Sequence, residues 1–349
     1  VQRIPPWTLA LLLGLLSWLL LNWLLRQSMD IKSARDLLIP VLFISLGRRV
    51  ADADWVDRLL RGMVLLVLAL GLLEAVFPAA YGSWFDTFSF YSHLGSIRES
   101  AAMYAGQTLT LNGFRPDGIG RTLLPTLLGN HRSASVFLEP VSLGNFAVIV
   151  LAWQLAKDRP ALRRTDWLLL AAALLLIVLA DSRFGMLMAL ALVAMRLLPH
   201  GVLVVLTRAY PFLALAGLLA LAGWLPMAGD NLAGRLSASG LQLLDFGAAR
   251  LLGLDSPLPH YGDMGFAYAL SRFGVFLVLG LLAVLFLMPA PSERAERLRG
   301  LLVLYVFSSL AISGTSVFAL KTAGLMWFLL GTLFAAVPAQ VRTAKVSGA

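Results

Sequence analysis

Apolar residues in this chain come in long blocks set apart by short polar stretches, and ten such blocks can be read at roughly 7–25, 36–47, 60–79, 141–156, 167–181, 184–198, 210–227, 264–289, 301–316 and 318–337. A bilayer core of about 30 Å takes about 20 helical residues, fewer where a helix is tilted or packed in a bundle. The pattern therefore predicts an all-α polytopic integral membrane protein with ten transmembrane helices. The block at 36–47 is the shortest and carries Pro40, so it is the weakest helix of the ten. Two polar stretches are much longer than the rest, at about 80–140 and 228–263.

Composition agrees: 59% of the 349 residues are hydrophobic and 13% charged, with mean hydropathy +0.82, beyond what a water-soluble surface tolerates. A net charge of +9 would suggest nucleic acid in a soluble domain. Here the basic residues fall instead in every second short loop: Arg48, Arg49, Arg58 and Arg61; Lys157, Arg159, Arg163 and Arg164; Arg196 and Arg208; Arg294, Arg297 and Arg299; Arg342 and Lys345. Such loops face the cytoplasm. Both termini are then expected in the cytoplasm, and both long loops on the outer side of the membrane. The opening apolar run is longer than a signal-peptide core and shows no cleavage site. No repeat or separate soluble core is evident, so residues 1–349 read as one membrane-embedded domain. Cysteine is absent and the four His lack metal-site spacing, which argues against thiolate chemistry and a metal centre; no cofactor is expected.

The two long loops hold almost no lysine but several isolated arginines at helix mouths, the usual posture of residues that bind anions. Arg132 and Glu139 precede the block at 141. Asp181, Ser182 and Arg183 fill a near-loopless hinge between two blocks. An ionisable group there is a functional candidate, although an Asp181–Arg183 pair or a snorkelling arginine would also explain it. The first long loop holds Trp84, Phe85, Phe88, Phe90 and Tyr91, which suit an interfacial segment or a sugar-stacking platform. The second holds an amphipathic stretch over about 237–252 and a DSPLPHYGD turn. Arg272 lies inside the block at 264–289, where a partner in Asp263 or Glu139 or a place facing the site is expected. Lys321 is read as snorkelling, and Glu74 as a helix polar residue with no neighbour in sequence to pair with.

The succession HRSASVFLEPVSLGNF, DSRFG, GRL, LLGLDSPLPHYGD and GFAYALSRFGVFLVLG, spanning about 36–337, resembles the O-antigen ligase and polymerase superfamily, and within it bacterial O-antigen and exopolysaccharide polymerases. The resemblance implies a metal-independent glycosyltransferase that joins undecaprenyl-diphosphate-linked repeat units at the periplasmic face. It implies that Arg183 and Arg235 hold the donor's diphosphate, with Arg132 and Arg272 as further candidates. Ligases of this superfamily place His-Asn before the following helix; here His260 is followed by Tyr261, and Asp263 stands where many polymerases have an acidic residue. Arg132 to Gly144 and Arg235 to Gly247 each enclose eleven residues, one more than the spacing described for polymerase loops.

The chemistry suits these residue types. Guanidinium forks bind phosphate oxygens bidentately and stay charged, so they can stabilise a departing diphosphate. The attacking sugar hydroxyl must lose its proton to a base within hydrogen-bond reach. Asp263 and His260 are the first candidates and Glu139 the third, while Asp255 beside Ser-Pro reads as a turn residue. Partners would be lipid-linked oligosaccharide donor and acceptor, membrane lipids, a flippase and a chain-length regulator, and not nucleic acid. Two other readings are a ligase moving polymer to a lipid A core and a lipid-linked sugar flippase. The flippase reading leads one to expect repeated halves and broken helices, and neither is visible in the sequence.

Overall fold

A computed structural model describes residues 6–93, 113, 120–158, 162–225, 231–256, 261–262 and 264–335. Among them the regular structure is helical, in the order α1 (Pro6–Arg26), α2 (Ile31–Val50), α3 (Ala53–Val76), α4 (Pro78–Trp84), α5 (Thr87–His93), α6 (Pro125–Leu128), α7 (Pro140–Leu155), α8 (Arg164–Leu179), α9 (Arg183–Leu197), α10 (His200–Leu221), α11 (Leu232–Leu244), α12 (Ala248–Leu251), α13 (Gly265–Leu287), α14 (Glu293–Ile312) and α15 (Leu320–Leu333). Each of the ten apolar blocks overlaps one long helix, with bounds that differ most at α10, which starts ten residues before the block at 210–227. Three, namely α3, α10 and the Gly265–Leu282 part of α13, are long and apolar enough to cross a membrane, and several shorter apolar helices accompany them. The chain forms two compact units, Val1–Ala53 with Leu197–Ala349, and Asp54–Arg196.

In the first unit α2 is a continuous helix of 20 residues despite Pro40, longer than the 36–47 block predicts. Its support is α15, against which it packs at backbone distance. A Cβ on Gly47 would stand 2.1 Å from the Phe328 carbonyl oxygen, and one on Gly331 2.2 Å from that of Ile44. Small residues that let helix backbones meet are the usual device inside membranes, and the surrounding packing makes a helical proline tolerable there. Helix α14 lies against α10 through Gly300, with Tyr210 and Ser308 hydroxyls 2.6 Å apart.

Helix α13 is interrupted. Gly274 sits at φ 74°, ψ 160°, a conformation only glycine adopts cheaply, and the Phe273 carbonyl before it accepts a hydrogen bond from Trp18 Nε1 at 2.8 Å. No local signal marks the break, because a single Gly inside an apolar run is common and tolerated. What forces the break is the turn after α12. Gly253, at φ 76°, abuts Gly274 so closely that a Cβ on it would meet the Gly274 nitrogen at 2.9 Å. The predicted amphipathic stretch over 237–252 is likewise two helices, α11 and α12.

In the second unit α7 is buried on all sides from Ser142 to Gln154, the mark of a core helix. At the end that carries the basic loops, Lys157 Nζ sits between Asp57 (2.7 Å) and Asp166 (2.8 Å), and Trp153 Nε1 also donates to Asp57. This buried cluster ties α3, α7 and α8 together. The outer faces are apolar, with Leu65 66% and Leu190 73% exposed, which suits lipid rather than water as neighbour.

Candidate functional site

The Asp181–Ser182–Arg183 hinge joins α8 to α9 with a short connection, and its polar groups divide into scaffold and surface. Asp181 adopts φ 46° and is fully buried. Its carboxylate accepts the backbone N–H groups of Thr122 (3.0 Å) and Leu123 (2.8 Å). The carboxylate thus clamps the first long loop, a contact invisible to local sequence because its partners lie nearly sixty residues away. Arg121 completes the clamp. Its guanidinium donates to the carbonyls of Val178, Leu179 and His131, satisfying acceptors that the end of α8 leaves without helical partners. Ser182 Oγ accepts the Gly185 N–H at 3.0 Å and so caps α9. Gly144 of α7 makes room for it, since a Cβ there would lie 2.5 Å from that hydroxyl oxygen.

Arg183, by contrast, is exposed at the first position of α9, with Nε donating to Thr122 Oγ1 at 2.9 Å. Arg132 reaches the same end of the unit. The neighbouring Ser133 N–H donates to the Leu179 carbonyl (3.0 Å) and the Arg132 N–H to that of Gly113 (2.7 Å). Glu139 precedes α7, and its carboxylate accepts from Ser142 Oγ at 2.9 Å. Burial, and then the Glu139 carboxylate bonded to it, push the Tyr91 phenol well above its ordinary value.

Glu74, without a partner in the sequence reading, is the hub of this region. Nearly inaccessible, it accepts the N–H groups of Ala134 (2.7 Å) and Ser135 (2.6 Å) and lies 2.8 Å from His131 Nε2. Ser135, at φ 51°, also receives Tyr81 Oη on its carbonyl and gives its hydroxyl to the Val67 carbonyl. Neither role had a local signal beyond an acidic residue in an apolar helix.

The first unit holds the remaining candidates. Arg235 of α11 donates to the carbonyl of Ile312, the last residue of α14, at 3.0 Å. Asp255 pairs with Arg250 Nε at 2.7 Å, in keeping with a turn residue. Arg272 pairs with Asp30, in the α1–α2 connection, at 2.5 Å and lies over the Tyr268 ring. Burial alone would raise the Asp30 carboxyl, but hydrogen bonds from Ser33 and Arg272 hold it below the usual carboxylate range. Beside it, Tyr268 Oη donates to Asp36 (2.7 Å) and Lys32 Nζ donates to both. Lys321 is exposed. His260 and Asp263 lie outside the described residues. Among the described residues no group of three or more metal-ligating side chains occurs.

No family model, curated protein or solved structure matches the chain.

Proposed function

We propose that this is a polysaccharide polymerase of the bacterial inner membrane, with ten membrane spans, both termini cytoplasmic and both long loops periplasmic. On this reading it joins undecaprenyl-diphosphate-linked repeat units by metal-independent glycosyl transfer. The observation that carries the reading is the division of labour at the α8–α9 hinge. Asp181, Arg121 and Ser182 are consumed in holding the backbone, while Arg183 stands exposed at the start of a helix. Rigid surroundings and an accessible guanidinium at a helix N-terminus suit a phosphate ligand.

In the reaction, an acceptor sugar hydroxyl attacks the donor's anomeric carbon and the bond from that carbon to the diphosphate oxygen breaks. The hydroxyl proton passes to a base, and the lipid diphosphate leaves as an anion. Arg183 and Arg132 are assigned to that anion. Arg235, which spends one donor on a helix carbonyl, keeps the second arginine role implied by the resemblance. Asp263 and His260 remain the candidates for base, and Glu139 the third.

The test is Arg183→Lys and Arg235→Lys in a polymer-forming strain, with melting checked alongside. A point charge does not reproduce a bidentate fork, so both variants should fall by roughly 100- to 1000-fold, as when an oxyanion contact is removed. Full polymer from both would sink the assignment. The break in α13 at Gly274 is one feature that a flippase would use. The two readings part on where repeat units gather in a deletion strain: single flipped units for a polymerase, cytoplasmic-leaflet units for a flippase. Prenyl-linked polymer that fails to reach lipid A core would indicate a ligase.

A further inference from the structure

Helix α1 carries Trp18, Asn22 and Arg26 at four-residue intervals, hence on one face. That face meets the junction where the α12 turn touches the break in α13. Trp18 donates to the Phe273 carbonyl, and the Asn22 amide nitrogen stands 3.2 Å from where a Gly253 Cβ would be. Arg26 Nη1 reaches the Gly253 carbonyl only at a long 3.5 Å. Arg26 and Arg272 lie near enough to act electrostatically on each other and on Asp30.

These groups are buried yet unspent. Asn22 is 0% exposed and Arg26 5% exposed. Among the described residues, the amide nitrogen and oxygen of Asn22, the Nε and Nη2 of Arg26 and the Nε of Arg272 have no hydrogen-bond partner. A buried donor left unpaired is costly, and buried polar groups are nearly always satisfied. Here several unpaired donors gather around backbone that two glycines keep free of side chains. Two guanidinium groups face one carboxylate, Asp30, so the charge left over is positive.

We propose that Asn22, Arg26 and Arg272 form a buried binding site for a phosphoryl group at the Gly253–Gly274 junction. The Nε–Nη2 edge of Arg26 is a fork that takes two oxygens of one phosphate. Asn22 Nδ2 and Arg272 Nε supply further donors, more than a carboxylate's two oxygens would use well. The phosphoryl group belongs either to a lipid headgroup or to a free anion. The proposal stands on the first unit alone and is independent of the polymerase reading.

The experiment measures melting of the full-length protein, purified in nonionic detergent and washed free of lipid. The probes are inorganic phosphate and dioctanoyl phosphatidic acid, with sodium chloride at matched ionic strength and dioctanoylglycerol as controls. A saturating probe should raise the melting temperature by about 3 °C. The rise should vanish in Arg26→Gln and in Asn22→Leu. Because Asn22→Leu removes an unsatisfied buried amide, that variant should melt no lower than wild type without probe, so it decides the matter even where Arg26→Gln folds poorly. A rise with inorganic phosphate identifies a free anion, and one with phosphatidic acid alone a lipid headgroup. No rise above the controls with either probe, or an undiminished rise in Asn22→Leu, overturns the site.

Discussion

Replacing Glu74 by alanine should be among the most damaging single changes in the second unit. The side chain is nearly inaccessible and serves three partners at once: His131 Nε2 and the N–H groups of Ala134 and Ser135. Each buried donor left without an acceptor costs about 1–3 kcal/mol, and removing one member of a buried pair costs about 3–5 kcal/mol. Ser135 adds to the demand, because a non-glycine residue at φ 51° persists only where its surroundings over-determine it. Taking about 3–5 kcal/mol together, melting in detergent should drop by roughly 6–20 °C, at about 2–4 °C per kcal/mol for a unit of this size. Glu74→Gln keeps an acceptor oxygen and should lose only about 1–2 kcal/mol. Limited proteolysis should speed up over 120–135 in the alanine variant, since that segment hangs on this carboxylate. An alanine variant that melts with the glutamine variant, within a degree or two of wild type, would refute the hub role.

Lys157→Met should destabilise by about 3–5 kcal/mol, because it removes the cation that bridges the Asp57 and Asp166 carboxylates; adding Asp57→Asn should recover part of the loss, and strict additivity in that melting cycle would contradict the cluster. For topology, single cysteines at the exposed Ser83 and Thr165 are suitable because the chain has none. An impermeant thiol reagent should label Ser83→Cys in intact cells and Thr165→Cys only after permeabilisation, and the reverse result would overturn the orientation drawn from the basic loops.

Helix existence was legible because long apolar blocks bounded by polar stretches leave few alternatives: each of the ten blocks overlaps a helix. Helix α2 outgrew its apolar block because what sustains it is the backbone contact of Gly47 and Gly331 with α15, a long-range feature. The break at Gly274 escaped notice for the same reason, being imposed by Gly253 some twenty residues earlier. At the candidate site, the Asp181–Arg183 hinge stands out in the sequence, but the hold of Asp181 on the Thr122 and Leu123 N–H groups has no local signal. Arg272 stands out as a charge inside an apolar block, yet its partner, Asp30, lies in a connection that carries no motif. Asn22 and Arg26 passed unremarked, since one polar face on an otherwise apolar helix shows its purpose only when the facing backbone is known. Chemistry-bearing residue types could be picked out from the chain; which of them hold the scaffold depended on contacts across dozens of residues.

The central claim is glycosyl transfer between lipid-linked repeat units, and purified protein tests it most directly. Reconstituted with such units and no added metal, wild type should build a ladder of lengthening polymer and release one lipid diphosphate for each bond formed, while Arg183→Lys at equal melting temperature should not. Repeat units that stay single with the folded wild-type protein would contradict the account.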